Sequence, residues 1–474
     1  MGGLFSSLGN AVDALRSIES ALAVSQNNVS NANTPGYARQ VALLESQAFN
    51  LSTGLMGGVQ FGGTQTTQNE YLNQAVRTQL SAQGYFTGAS NPLASIQSLF
   101  DVSGQTGVTG ALNNLFQSFS AWSATPNTTS AQAVLNQAQA VAQSFQSAAA
   151  SLGQITNSVN QQITSNVNQI NTLAAAVQQA NLAIQHATGS TPDAGLDANL
   201  HATLESLSQI ADITVSYAPN GTATVLLGGQ TPLVIGAQQY TLHASFAPSG
   251  TPLIPNATPD ARILDASGQD ITAHITQGTL GGLLNVRNTV LPSLQGDGQQ
   301  QGALNQLAQQ VADRVNSILT SAQTAGGAAG TPLFTYNSGS PASIAQTLAL
   351  DPNITANTLA PVNPGPPLVS NGAALQLAGL GTSTNPADQI SGQTILQFLS
   401  SMATQAGQSA SDAQTGSNLH AQLLAQSRSL QTQVSGISLD AEAAQVMQLQ
   451  QGYQAASKMV SVINSLSDAL LNMV

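Results

Sequence analysis

Two pairs of acidic residues have the spacing at which carboxylates could share general acid–base work, Asp193 with Asp197 and Asp440 with Glu442. Each pair lies at the predicted start of a helix, where the positive end of the helix dipole favours a carboxylate. We therefore interpret both pairs as helix-terminus charges. Catalysis has no other support, because the sequence has no phosphate-binding loop, no dinucleotide-binding glycine pattern after a strand and no Gly-x-Ser-x-Gly elbow.

Metal chemistry has no better support. Histidine ligands of a metal recur at short fixed spacings, as in HExxH, and no such spacing occurs here. The five histidines are scattered along the chain at His186, His201, His243, His274 and His420. Cysteine is absent, which excludes disulfides and thiolate metal sites. The sequence therefore predicts a protein that is not an enzyme and that holds no cofactor or metal.

The composition fits two interpretations, a chain that packs densely against copies of itself and an ordinary bias toward Ala and Gln. Charged residues make up only 6 % of the 474 residues, against about 25 % in typical soluble domains. Neutral Gln, Asn, Ser and Thr must cover the surface, and they can be buried without the desolvation penalty of a charge. Eight dispersed basic residues in a chain of net charge −12 cannot form a phosphate-binding stripe, so we expect no nucleic-acid partner. We also expect no membrane span and no cleaved secretory signal, because long apolar runs are missing.

The elements that would position any functional group begin with a predicted helix near the start of the chain. Its apolar residues lie seven apart, and a second set follows three residues later: Leu8, Leu15, Leu22 and Val29, with Ala11, Ile18 and Ser25. This heptad pattern is typical of packing against another helix. The helix is predicted to end at Thr34-Pro35, because the residue before a proline is disfavoured in a helix.

The other end of the chain carries a matching heptad helix. Its first line of residues spaced seven apart is Leu439, Val446, Tyr453, Val460, Ser467 and Val474. The second line is Leu449, Ala456, Ile463 and Leu470. The two terminal helices can therefore pair. Periodicity alone leaves open whether they belong to one intrachain bundle or also pack between chains.

Between the two ends, the predicted structure alternates. Residues 41–70 have the short alternating runs of a β-hairpin, and residues 71–122 read as helix in pieces, broken at Asn91-Pro92. A very long helix is predicted from about residue 130 to 187, followed by a β-hairpin or meander over 211–246 with a turn at Asn220-Gly221. We predict a few short strands within 322–370 and helices again over 393–434.

The stretch NNVSNANTPGYARQ resembles a signature of the flagellar rod, hook and hook-associated axial proteins. The matching positions are Asn27, Asn28, Val29, Asn31, Thr34, Gly36, Tyr37 and Arg39. The last 40 or so residues are similar to the C-terminal signature of the same family through Leu439, Glu442, Gln450, Tyr453, Ala455 and Ala456. Two signatures in the right order at opposite ends identify the chain as a member of this family.

Within these axial proteins, the long helical middle resembles the FlgK family of hook–filament junction proteins, as do the segments LGGLLNVRN and LNQLAQQVADRVN. The resemblance implies an α+β fold that is predominantly α. The terminal helices would pair as an inner coiled-coil domain (residues 1–60 and 430–474). A rod-like α-rich middle domain (61–210, 280–330 and 371–429) and a β-containing outer insertion (211–279 and 331–370) would complete the chain.

The resemblance also implies a structural adaptor in the extracellular flagellum. Identical subunits would form a ring between the hook protein and hook-associated protein 3. An export chaperone would bind the C-terminal helix during type III secretion. The two heptad seams and the N-terminal signature would form the assembly interface. The alternatives are a hook or distal rod subunit and an adhesin-like fibre, although only 4 % of the chain is aromatic, which disfavours a glycan-binding pocket.

Overall fold

The computed structural model describes residues 2–50, 55–100, 105–186, 193–248 and 259–471, and it is mostly helical. The longer helices are α1 (Gly2–Ser30), α2 (Glu70–Leu99), α3 (Gly107–Ala124), α4 (Thr128–His186), α5 (Ala194–Ile210), α8 (Ala303–Thr320), α11 (Ile395–Ser435) and α12 (Leu439–Leu471). The shorter helices are α6 (Gly278–Asn285), α7 (Leu291–Gln295), α9 (Ile344–Thr347) and α10 (Gly372–Gly379). The predicted α+β fold with predominant helix is confirmed.

The strands in the described ranges form four small antiparallel sheets. Their bounds are β1 (Gln40–Asn50), β2 (Leu55–Thr66), β3 (Ile213–Tyr217), β4 (Ala223–Leu227), β5 (Thr231–Ile235), β6 (Gln238–Gln239), β7 (His243–Ser245), β8 (Arg262–Leu264), β9 (Phe334–Thr335) and β10 (Ala349–Leu350). β1 pairs with β2 in a ribbon, β3 to β6 form a meander, and β7 with β8 and β9 with β10 form two-stranded pairs. The predicted hairpin, meander and short strands are thus confirmed.

The chain divides into two compact units, one made of residues 1–81, 170–240 and 420–474 and the other of 82–169 and 241–419. The first unit holds α1, α5, α12, the β1–β2 ribbon and the meander. Strands β7 to β10 belong to the second unit, so the strands predicted for one outer insertion are shared between both. The division into inner, middle and outer parts stays a prediction.

In the first unit, the meander is attached to the end of α4 by a buried amide. Asn181 is fully buried; its Nδ2 donates to the carbonyls of Ala223 and Gly236, and its Oδ1 accepts from the amide of Ala223. Asn220-Gly221 forms the predicted turn, with Gly221 at a φ of 85° that only glycine adopts without strain. One Asn side chain thus satisfies backbone groups at the start of β4 and in the turn after β5.

The second unit has a core of small and branched residues together with Phe119, Trp122 and Phe145. On α4 the buried residues recur at helical spacing, as the sequence predicts. Arg287, in the LGGLLNVRN segment, is almost fully buried; its Nε donates to Oδ1 of Asn160 at 2.7 Å. Burial lowers the pKa of Arg287, although nearby Asp260 and Asp297 oppose that shift.

One secondary-structure prediction is wrong. α2 runs unbroken through Asn91-Pro92, where the sequence predicts a break. A proline inside a helix typically costs about 3 kcal/mol, because it lacks the N–H that would bond to the carbonyl four residues earlier. Here Pro92 is buried together with Leu93 and Ile96. The burial of this apolar face outweighs the lost hydrogen bond.

Candidate functional site

The asparagine-rich stretch at residues 27–40 ends α1, turns the chain and starts β1. α1 ends at Ser30, and short amides satisfy the polar groups beyond it. The Nδ2 of Asn31 donates to Oδ1 of Asn27 at 2.7 Å, and Oγ1 of Thr34 donates to Oδ1 of Asn31 at 3.0 Å. The polar residues that weaken the helix here therefore form the turn that replaces it.

Asn28 holds this turn closed from inside. The side chain is fully buried; its Nδ2 donates to the carbonyl of Gln40 at 2.8 Å, and its Oδ1 accepts from the amide of Gln40 at 2.9 Å. One amide thus pairs with both backbone groups of a residue twelve positions later, as a neighbouring strand would. The hydroxyl of Tyr37 lies 3.1 Å from Oδ1 of Asn28 and from Oδ1 of Asn27, and can donate to either.

Gly36 brings the turn against α5. Its φ is 76°, and a Cβ built on it would lie 2.3 Å from the carbonyl oxygen of Ala198 and 3.0 Å from the amide nitrogen of Ala202. No side chain fits at that separation. The glycine of the signature is therefore required both by the conformation of the turn and by the close approach of α5.

Arg39 links β1 to α11 and α12. Its Nε lies 2.6 Å from Oε1 of Glu442, and its Nη2 donates to Oε1 of Gln445 at 3.0 Å. Its backbone N–H donates to the carbonyl of Ser435, and its carbonyl accepts from the amide of Thr67. Glu442 is fully buried, whereas the Arg39 side chain keeps 30 % exposure. Four chain segments therefore meet on one arginine.

The negative charge of Glu442 acts on Tyr37 in the turn. Burial, and to a lesser extent the negative charge of Glu442, raise the pKa of Tyr37 above its usual value. The phenol therefore keeps its proton at neutral pH and remains a hydrogen-bond donor. The other carboxylate oxygen of Glu442, Oε2, is buried and has no hydrogen-bond partner among the described residues. Arg39 is thus the main group that balances a buried negative charge.

Small residues line the buried face of α1. Ala11, Ser17, Ala21 and Ser25 are buried, and Oγ of Ser17 lies 3.3 Å from the carbonyl of Val59 in β2, close enough to donate to it. Among the predicted heptad positions, Val29 is exposed. Four larger apolar residues are half-buried: Leu8, Leu15, Ile18 and Leu22. The heptad leucines therefore lie beside the seam, because small residues let the neighbouring elements approach α1 closely.

On α12 the described part of the second predicted line is covered throughout, whereas the first line is covered only in part. Leu449, Ala456 and Ile463 of the second line, and Glu442 seven residues before them, are buried or half-buried. Ile18 of α1 packs over Gly452, where an added Cβ would lie 3.5 Å from Cδ1 of Ile18. Leu439 and Tyr453 are exposed in the single chain, so their place in the seam stays a prediction for contacts between subunits. An α-helix with 3.6 residues per turn drifts away from a strict heptad line.

The remaining predicted positions of α12 are neither fully buried nor fully exposed, or lie outside the described side chains. Val446 and Val460 are half-buried beside the seam, and the side chain of Leu470 lies outside those that the structure describes. The sequence did not point to the contacts of Thr67, Ser435 and Ala198 with the signature. Ser435 and Ala198 make them through backbone atoms, and Thr67 uses both its amide and its hydroxyl. Glu442 does lie in the first turn of α12, as a helix-terminus charge should, but its carboxylate is committed to Arg39. Asp193 caps α5 through the amides of Gly195 and Leu196, as predicted.

The arrangement of these residues connects several segments of the chain. Within the described ranges, no group of histidine, aspartate and glutamate side chains could hold a metal ion. None of the described helices combines the length and the apolar character needed to cross a lipid bilayer. What the site does chemically is hold a helix end, a β-ribbon and two other helices together through amides and one ion pair.

The hydroxyl of Tyr37 should make a modest contribution to this arrangement. Tyr37→Phe removes its hydrogen bond to Asn27 or Asn28 and should lower the free energy of unfolding by about 1 kcal/mol. Tyr71→Phe is the matched control, because Tyr71 is 79 % exposed and should change stability little. Urea unfolding of the full-length variants measures both effects. Equal stabilities of the two variants would contradict the proposed role of the Tyr37 hydroxyl.

Comparisons with known protein families match two segments of the chain. Residues 93–334 match the helical domain of the flagellar hook-associated protein FlgK. Residues 430–473 match the C-terminal region of the flagellar basal-body rod FlgEFG proteins. The second match covers α12, and the first covers most of the second unit.

Similar proteins include relatives in two distant bacteria. The chain is 24 % identical over 520 residues to flagellar hook-associated protein 1 of Bacillus subtilis, an alignment that covers 100 % of this chain and 99 % of the relative. It is also 24 % identical over 340 residues to flagellar hook-associated protein 1 of Salmonella typhimurium, covering 70 % of this chain and 59 % of that protein. The solved structure of the hook junction protein FlgK from Burkholderia pseudomallei has a similar fold, with a TM-score of 0.63 at 16 % identity over 77 % of this chain and 100 % of that one.

Proposed function

Because this chain belongs to the family of the flagellar hook-associated protein FlgK, we propose that it is a structural subunit of the hook–filament junction. Proteins of this family build the axial structure of the flagellum, and this chain is a member of the family. Its work would be done by surfaces that bind other subunits. No catalytic step is assigned to it.

The observation that carries this proposal is the position of the exposed apolar side chains. In a described surface with few charges, most of the large exposed apolar residues lie in or beside α1, the β1–β2 ribbon, the end of α11 and α12. Monomeric soluble proteins rarely expose so much apolar surface in one region. Subunits that pack densely around an axis would cover it.

The finer assignments are also proposals. Copies of this chain would form a ring, with the hook protein on one side and hook-associated protein 3 on the other. An export chaperone would cover α12 before secretion to the extracellular flagellum. The assembly interface would comprise the signature residues Asn27 to Arg39 and the heptad positions of α1 and α12, with Val29, Leu439 and Tyr453 exposed for contacts between subunits.

Deletion of the gene tests the proposal directly. A junction subunit should leave complete hooks that carry no filament, with unpolymerised filament protein in the culture medium. The full-length gene supplied in trans should restore filaments. A strain without hooks would instead support the alternative that the chain is a hook or distal rod subunit. Normal filaments with lost surface attachment would support an adhesin-like fibre and would overturn the proposal.

A substitution on the seam should separate assembly from folding of the rest of the chain. Leu449 is half-buried on the second heptad line of α12, the helix that packs against α1. Leu449→Arg places a charge in that contact and should abolish filament formation, while the second unit keeps its unfolding transition. Gln454→Arg, at an exposed position of the same helix, should assemble normally. Electron microscopy of complemented cells scores both, and normal filaments with Leu449→Arg would refute the role of the seam.

A further inference from the structure

α12 carries a second apolar stripe that α1 does not cover. Ala455, Met459, Val462 and Leu466 follow one another at spacings of four, three and four residues, which places them on one side of the helix. All four are exposed, and more than half of each of the three larger side chains is accessible. We call these four residues the outer stripe.

β1 carries a second uncovered apolar surface. The register of the ribbon shifts between Leu43 and Leu44, so a bulge interrupts the alternation of side chains there. Leu43, Leu44 and Glu45 are consecutive and all exposed, and Phe49 is 70 % exposed. β1 pairs only with β2 among the described strands, which leaves its other edge without a strand. We call these four residues the ribbon surface.

The outer stripe and the ribbon surface lie on elements that do not pack together within one chain. α1 packs against both α12 and the ribbon, whereas among the described residues the ribbon makes no extended contact with α12. Neither surface can therefore cover the other within one molecule. Two different uncovered surfaces on the same chain favour a head-to-tail contact, in which one surface of each copy meets the other surface of the next.

The two surfaces are complementary in charge. Lys458, the single lysine of the chain, borders the outer stripe next to Met459 and is exposed. Glu45 lies within the ribbon surface, is exposed, and accepts a hydrogen bond from Gln60. Neither residue forms an ion pair within the part of the chain that the structure describes. Each apolar surface thus has one unpaired charge, and the two charges are opposite.

We propose that the ribbon surface of one copy docks on the outer stripe of the next, with Glu45 paired to Lys458 across the contact. This contact is heterologous, so it generates a closed ring or a helical array and not a two-fold dimer. The inference rests on the proposed function, because it names the surfaces through which junction subunits join.

The absence of cysteine permits a cross-linking test without background. Ser46→Cys places a thiol beside Glu45, and Ala455→Cys places one in the outer stripe. Both are exposed, small positions. The two single variants are co-expressed in the deletion strain, and isolated flagella are treated with a short bismaleimide cross-linker. A covalent dimer should form only when both variants are present. Ser461→Cys, exposed on another side of α12, is the matched control for Ala455→Cys and should give no dimer.

Charge exchange tests the ion pair independently. Glu45→Lys alone and Lys458→Glu alone should each lower the cross-linking yield by at least about tenfold, since like charges then face each other across the contact. The double variant should recover most of the yield. Glu19→Lys, at an exposed glutamate of α1, should leave it unchanged.

The outcomes distinguish this inference from the proposed function. Restored filaments with dimers between two Ala455→Cys chains, or with equal cross-linking through Ser461→Cys, would overturn the docking and leave the junction role standing. Restored filaments with no Ser46→Cys to Ala455→Cys dimer would also overturn it. Failure of the wild-type gene to restore filaments would instead overturn the proposed function.

Discussion

Replacing Arg39 with methionine should lower the free energy of unfolding by roughly 3 kcal/mol, the lower end of the range for breaking a buried ion pair. The change removes the guanidinium group that lies 2.6 Å from Oε1 of Glu442. Glu442 is fully buried, and its Oε2 already lacks a hydrogen-bond partner among the described residues. A buried carboxylate without a counter-ion is strongly unfavourable, so the effect comes mainly from the charge left behind.

Two comparisons test whether the loss of stability comes from the charge left on Glu442. Arg39→Met combined with Glu442→Gln removes both charges and should recover a large part of the lost stability. Arg16→Met is the exposed counterpart, because the Arg16 side chain is 76 % exposed and lies 3.9 Å from Asp13. A surface pair of this kind contributes at most about 1 kcal/mol. Urea unfolding of the full-length chain and amide hydrogen exchange in β1 and α12 measure these effects. Equal losses from Arg39→Met and Arg16→Met would contradict the assigned role of the pair.

A single methyl group at Gly36 should be at least as damaging, with an expected loss of about 3 kcal/mol or more. Gly36 has a φ of 76°, which an L-residue adopts only with strain. The added Cβ would lie 2.3 Å from the carbonyl oxygen of Ala198, well short of the van der Waals contact distance between carbon and oxygen. The obstructing atom is backbone within α5 and cannot rotate away, so the turn or the helix must move.

Gly9 provides the matched control for Gly36→Ala. Gly9 lies within α1, and a Cβ there meets nothing within 4 Å. Gly9→Ala should therefore raise stability by roughly 0.5 to 1 kcal/mol, because alanine loses less backbone entropy in a helix. The same unfolding measurement compares both variants. A Gly36→Ala protein as stable as Gly9→Ala would show that the turn does not pack against α5 in this way.

Local patterns in the sequence predicted the elements well where neighbouring residues decide the conformation. The alternation and glycines of residues 41–70 predicted the ribbon, the Asn220-Gly221 turn predicted the first hairpin of the meander, and the apolar periodicity predicted α4. These signals act over a few residues, through backbone preferences and the helical or strand repeat. The break predicted at Pro92 failed because burial of the helix face outweighs a local penalty.

The candidate site was predictable as a set of residues but not as an arrangement. The signature from Asn27 to Arg39 marked the turn. α1 ends at Ser30, before the predicted Thr34-Pro35, because the side chains of Asn31 and Thr34 form hydrogen bonds of the turn instead. Nothing local could show that Arg39 meets Glu442, a residue 403 positions later, or that Gly36 lies against Ala198. Periodicity also could not show that Leu439 and Tyr453 stay exposed on α12, since both heptad lines are apolar.

The sequence by itself therefore determined the types of element, the position of the amide-rich turn and the membership of a flagellar axial family. Only the tertiary structure decided which side chains are covered within one chain and which are left for another. The physical reason is that propensity and periodicity are properties of neighbouring residues. Burial and ion pairing depend instead on segments that the fold brings together from opposite ends of the chain.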